Sequence, residues 1–106
     1  MTLTNYAKGR AREYGAMKRL RKMGALTVMR AYASKGIFDL IAIFPSQVLL
    51  IQVKKDYINP KERKVIEEYW SKISADNIRV QVWFYIKGRL KIHDLATEMQ
   101  NVKLVV

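Results

Sequence analysis

The chain has 106 residues, 50% of them hydrophobic, with 20 Lys plus Arg against 9 Asp plus Glu, a formal charge of +11 and no cysteine. That length and composition allow a single domain, residues 1–106, with one core; a disulfide framework and a thiolate zinc site are excluded, and no apolar run approaches the roughly 20 residues of a membrane span. A field of this sign draws polyanions, nucleic acid first among them, and the amino terminus lacks a signal peptide's apolar stretch.

The expectation is an intracellular, cytoplasmic protein that binds nucleic acid and no membrane; a generic basic protein of ribosomal type is the competing reading. From about Asn5 to Met23 the spacing predicts a helix. Ala7, Ala11, Tyr14, Met17 and Leu20 form its apolar face and Gly24 its stop. Residues 1–36 carry nine basic side chains and one acid, Glu13. That lone carboxylate either pairs with an Arg neighbour or serves chemistry.

Three short runs rich in Val, Ile, Leu and Phe follow: Leu26 to Tyr32, Ile37 to Ile43 and Val48 to Lys54. They are too short for helices and suit buried strands. Phe44-Pro45-Ser46-Gln47 reads as a four-residue hairpin loop, with Pro45 second in a type I turn. Asn59-Pro60-Lys61-Glu62 starts a second helix: Asn59 caps, Pro60 takes the first turn and Glu62 completes a capping box. Val65, Ile66, Tyr69, Trp70 and Ile73 are its apolar stripe, and Asp76-Asn77 its end. Arg79 to Ile86 and Arg89 to His93 are two more strands joined at Lys87-Gly88, before a tail with one helical turn and Val102 to Val106. The order αβββαββ predicts an α/β fold, a mixed central sheet flanked by helices, with a right-handed β-α-β crossover.

Side chains alternate faces along a strand. If Ile43 pairs with Val48, then Asp39 falls opposite Gln52, and Lys54 lies diagonally beside it. An acid, an amide and a cation then meet at the open end of an apolar hairpin, where polar groups are costly unless paired or bound to something. An Asp39–Lys54 salt bridge with Gln52 bonded nearby explains them as well as a catalytic site does. His93, the single histidine, is a poor metal ligand without a second. Trp83, Tyr69 and Trp70 read first as core.

Asp39 followed by Gln52-Val53-Lys54 resembles the PD-(D/E)XK nuclease motif, an acid on one strand and acid-x-Lys on its hairpin partner, with Glu13 at the position of a further helix glutamate. More closely, Lys8-Gly9-Arg10-Ala11-Arg12-Glu13 and the stretch from Arg30 through Ser34 and Gly36 to Asp39 are similar to segments of the archaeal Holliday junction resolvases. The resemblance spans roughly residues 8 to 95 and implies a restriction-endonuclease-like core. It departs at Gln52, where the family has Glu or Asp. A carboxamide oxygen still ligates Mg²⁺, but without charge. Some branches of the superfamily, Mrr-type restriction enzymes among them, carry Gln-x-Lys.

The resemblance implies a metal-dependent, structure-selective DNA endonuclease that acts as a homodimeric Holliday junction resolvase. Glu13, Asp39, Gln52, Lys54 and Ser34 are its implied catalytic residues. Asp39, Gln52, the Val53 carbonyl and Glu13 would hold Mg²⁺ or Mn²⁺, Lys54 would orient water, and Ser34 would hydrogen-bond the scissile phosphate. Lys8, Arg10, Arg12, Arg30, Lys35 and Lys55 would grip DNA phosphates. Leu104-Val105-Val106 and the Val82-to-Tyr85 strand are candidates for a two-fold interface. An Mrr-like or nicking enzyme, and a DNA-binding protein on a nuclease scaffold weakened by Gln52, are the alternatives. An archaeal cell or an archaeal virus would suit such a protein.

Overall fold

The computed structural model describes residues 4–31 and 37–97. The elements run α1 (Asn5–Lys22), β1 (Thr27–Arg30), β2 (Leu40–Ile43), β3 (Val48–Lys54), α2 (Pro60–Ser71), β4 (Ile78–Ile86) and β5 (Arg89–Asp94), the αβββαββ order the sequence predicts. One five-stranded sheet has the order β1-β2-β3-β4-β5. Three of its pairs are antiparallel; β3 and β4, joined through α2, are parallel. The fold is therefore α/β, a mixed sheet with helices against it. Among the described residues no helix is long and apolar enough to cross a membrane.

Alternation along the strands separates two apolar layers. Leu40, Ala42, Leu49, Ile51 and Trp83 pack with Ala16, Met17 and Leu20 of α1. Leu50, Val80, Val82 and Phe84 pack with Ile66 of α2 on the opposite face. The α1 stripe differs from the one predicted. Ala16, Met17 and Leu20 are buried, whereas Tyr14 is 54% exposed and Ala11 faces solvent. The stripe runs 13, 16, 17, 20, so Glu13 extends the sheet-facing side of the helix by one turn.

Local signals explain most boundaries. α1 ends in a Schellman arrangement, with Ala25 N–H on the Leu20 carbonyl and Gly24 N–H on that of Arg21; Gly24 takes the positive φ of 108° this requires. The β2–β3 hairpin keeps the expected Ile43↔Val48 register, and Phe44 N–H closes its loop on the Gln47 carbonyl at 2.8 Å. Asn59 Oδ1 accepts the Glu62 N–H at 2.9 Å, with Pro60 in the first turn.

Four expectations need correction. β1 and β2 are shorter than predicted, because Leu26 lies before the ladder and Ile37 and Phe38 leave it to pack on the α2 layer. α2 stops at Ser71 rather than Asp76. Lys72 and Ile73 N–H bond to carbonyls three residues back, which tightens the last turn, and the short polar residues that follow favour a turn. The strand containing Val82, Trp83, Phe84 and Tyr85 is interior, between β3 and β5, and Trp83 is fully buried; it is core and not a free dimer face. Leu104-Val105-Val106, the other proposed interface, lies outside the described residues, as do Ser34 and Lys35. Of the tail's expected helical turn, the described residues include 95–97, which are helical.

Deleting the fully buried Leu20 side chain should cost about 2–5 kcal/mol, and truncating the exposed Leu26 under about 0.5 kcal/mol. Urea denaturation of Leu20→Ala and Leu26→Ala checks both, and equal losses would contradict this placement of the α1 core.

Candidate functional site

The site forms where the β2–β3 ladder gives out. Pairing in register ends at Leu40↔Ile51. One residue earlier Asp39 keeps step with β1, its carbonyl accepting the Ala31 N–H at 2.8 Å, but its own N–H goes to the Ile51 carbonyl at 2.9 Å. Asp39 and Leu40 thus both address Ile51, two residues against one, as at a β-bulge. The expected pairing of Asp39 with Gln52 is therefore corrected. The bulge turns the Asp39 side chain onto β3, and Oδ2 accepts the Val53 N–H at 2.8 Å.

That bond fills a gap in the sheet. Along β3 the even residues turn their backbone groups to β4, as the Val48 N–H on the Asn77 carbonyl shows, and the odd residues turn theirs to β2. With β2 paired only to Leu40, the Val53 N–H has no backbone partner on that side, and Asp39 serves instead. N–H and C=O of one strand residue point the same way, so the Val53 carbonyl opens on the same end.

Glu13 reaches this end from α1. Its carboxylate accepts from Arg30 Nε at 2.8 Å, with both side chains about one-fifth exposed. The same guanidinium lies over the Tyr14 ring, 5.3 Å from its centroid. Pairing with an arginine thus holds, and the partner comes from β1 rather than from the helix. Arg30, expected on DNA phosphate, pairs with Glu13 through Nε. Lys8, Arg10 and Lys55 are exposed and Arg12 is partly buried.

Gln52 and Lys54 project from β3 on the α2 side. There they meet a residue that sequence reasoning assigned only to capping. Gln52 Nε2 donates to Glu62 Oε2 at 3.3 Å, and Lys54 Nζ donates to the same oxygen in a salt bridge. Glu62 Oε1 accepts from Asn59 Nδ2 at 2.6 Å. The expected Asp39–Lys54 salt bridge is absent among the described contacts, because Lys54 pairs with Glu62. One signal for Glu62 was available: Gln52 leaves the acid-x-Lys motif one charge short, and Glu62 opens the helix that follows.

Burial pushes the Asp39 carboxyl above its ordinary value of 3.8; the Val53 N–H pulls it down, Glu13 pushes it up, Lys54 pulls it down and Glu62 pushes it up. Five charged side chains therefore bear on one another: carboxylates of Glu13, Asp39 and Glu62, and cations of Arg30 and Lys54. Among the described residues no three His, Asp or Glu side chains come together as a metal cage. By donor type alone, the carboxylates of Asp39 and Glu13, the Gln52 carboxamide and the Val53 carbonyl are oxygens of the kind Mg²⁺ accepts while keeping waters. A cation there would favour the ionised Asp39 carboxylate against the burial, and the lesser push of Glu13 and Glu62, that raise its pKa. The chemistry of the donors therefore fits a divalent ion.

The chain matches no protein-family model and no curated protein.

A carboxyl with a raised folded-state pKa favours the fold while protonated and loses that contribution as pH rises through its folded value. Asp39→Asn keeps an oxygen for the Val53 N–H and removes the charge, so it should raise Tm by a few degrees near neutral pH. The gain should shrink on acidification. Thermal melts at several pH values check this, and a lower Tm at neutral pH would contradict it.

Proposed function

We propose that the chain is a metal-dependent endonuclease hydrolysing DNA phosphodiesters at the Asp39 end of the sheet, on a restriction-endonuclease-like core. The observation that carries the reading is the meeting of Asp39 with Val53 at the frayed end of an otherwise regular hairpin, with Lys54 and Glu13 close enough to act on the same carboxyl. The Asp39 and Gln52-Val53-Lys54 resemblance and the charge of +11 support it.

Asp39, the Gln52 carboxamide oxygen, the Val53 carbonyl and Glu13 are the residues that would hold Mg²⁺ or Mn²⁺. Such an ion lowers the pKa of an attacking water and neutralises phosphate oxygens. The protein's own groups do the rest. Asp39 Oδ2 is fixed by the Val53 N–H, so the carboxylate is held in place before substrate arrives. Lys54 Nζ carries a charge at the strand end, where it can orient water or offset charge growing on the phosphate as the bond to the leaving oxygen breaks. Ser34, in the segment before Asp39, would hydrogen-bond that phosphate.

Lys8, Arg10, Arg12 and Lys55, with Lys35, would neutralise flanking phosphates. Such contacts position DNA without reading sequence and make binding salt-dependent. Selection by DNA shape is the better match. A four-way junction has two-fold symmetry, and a two-fold dimer would bring one active centre to each of two opposed strands. The substrate proposed is therefore the Holliday junction, and the working form a homodimer.

End-labelled four-way junctions and matched linear duplexes, incubated with Mg²⁺ or EDTA, test this. Wild type should make paired, Mg²⁺-dependent nicks confined to the junction. Asp39→Ala and Lys54→Ala should cut at least about 100-fold more slowly while binding the junction with near wild-type affinity. Equal cutting of both DNAs would point to an Mrr-like or nicking enzyme, and binding without cutting in every metal would leave a DNA-binding protein.

A further inference from the structure

The Gln52 side chain is a neutral amide where the acid-x-Lys pattern has a carboxylate, yet a carboxylate does reach this position from another element. Glu62 sits in the first turn of α2, where two hydrogen bonds to Asn59 and the Pro60 start of the helix fix it. Its N–H is capped by Asn59 Oδ1 at 2.9 Å, its Oε1 takes the Asn59 amide at 2.6 Å, and Pro60 occupies the first turn. The other oxygen, Oε2, receives both Gln52 Nε2 and Lys54 Nζ. One oxygen thus anchors the carboxylate to its own helix, and the other faces the strand that ends at the site.

We propose that Glu62 is a positioning residue that supplies from α2 the negative charge position 52 lacks, and that it orders Gln52 and Lys54 together. The proposal rests on the nuclease reading of the site. A carboxylate only accepts hydrogen bonds, whereas a carboxamide donates at one end and accepts at the other. Glu62 therefore turns the Gln52 NH₂ toward α2 and leaves Oε1 as the end free to accept or ligate. Replacing Glu62 by a neutral residue removes the restraint, so the amide can rotate and the Lys54 ammonium loses its partner.

The arrangement also explains why position 52 carries no charge. A carboxylate at 52 would stand where Nε2 now lies 3.3 Å from Glu62 Oε2, and two carboxylates that close disfavour joint ionisation. Positions 52 and 62 then form a complementary pair in which one member is acid and the other amide. Exchanging the two preserves the pairing: Glu at 52 accepts from Gln at 62 and keeps Lys54 as a cation beside it.

A double-mutant cycle of Gln52→Glu, Glu62→Gln and the two combined tests this, each variant read by Tm without DNA and by kcat and KM on four-way junctions. Each single change should lower Tm and reduce kcat at least about tenfold with KM within about twofold of wild type. The combined variant should recover most of the Tm and come within about threefold of wild-type kcat. Additive losses of Tm would overturn the proposal whether or not DNA is cut. Tm recovery without kcat recovery, in a wild type that cuts, would also overturn it by reducing Glu62 to a structural partner. A rate gain from Gln52→Glu alone would do the same. A wild type that cuts no DNA, with Tm coupling intact, would overturn the nuclease reading and leave the charge exchange standing.

Discussion

Beyond Leu40 the in-register pairing of β2 with β3 ends, the Asp39 N–H doubling back on the Ile51 carbonyl, and the bond from the Val53 N–H to Asp39 Oδ2 at 2.8 Å supplies the partner the ladder no longer gives. An unpaired N–H at the end of a central strand is costly when desolvated. The sheet meets that cost with a side chain, and the side chain it uses is an acid. The consequence reaches further than the one bond. The carboxyl is drawn out of solvent and held beside the Val53 carbonyl, so an ionisable group sits where an ordinary ladder would place inert backbone.

The electrostatics follow from which element brings each charge. α1 contributes Glu13 along its buried stripe, β1 ties it down with Arg30, and α2 brings Glu62 to Gln52 and Lys54. Three carboxylates and two cations leave an excess of negative charge within a strongly basic protein. In the proposed function such a centre would take a divalent cation, and the basic surface around it the polyanion on which that cation would act. The two attractions are compatible because they operate at different ranges. In the proposed function exposed Lys8, Arg10 and Lys55 would gather phosphates, and the carboxylates would act only at contact distance.

Much of the scaffold was legible in the residues. The apolar run of β3 and the four residues Phe44 to Gln47 were enough for the hairpin register, and Asn59-Pro60 was enough for the start of α2. What escaped were features without a periodic signature. Asp39 fits the alternation of its strand, so nothing in the pattern announces a bulge; the displacement comes from competition between the two neighbouring strands. On α1 the apolar residues Ala11, Tyr14, Ala16 and Met17 span two possible faces, and only packing against Leu40 and Ile51 decides for Ala16 and Met17. Glu62 escaped because its capping role already explained it. A capping box would use one carboxylate oxygen, which in the structure takes the Asn59 side-chain amide rather than its backbone N–H, and the second was unaccounted for until β3 was seen beside it.

The central claim is that the Asp39 end of the sheet is a cation-binding centre of the intact protein. Titrating ¹⁵N-labelled protein with Mn²⁺, in the presence of a four-way junction made resistant to cleavage, tests it through paramagnetic loss of backbone amide signals. The account predicts that Asp39, Gln52, Val53 and Lys54 fade first, and that Asp39→Asn removes this selectivity. Early loss confined to other carboxylates, such as Asp56 and Asp76, with the Asp39 end unaffected, would contradict it.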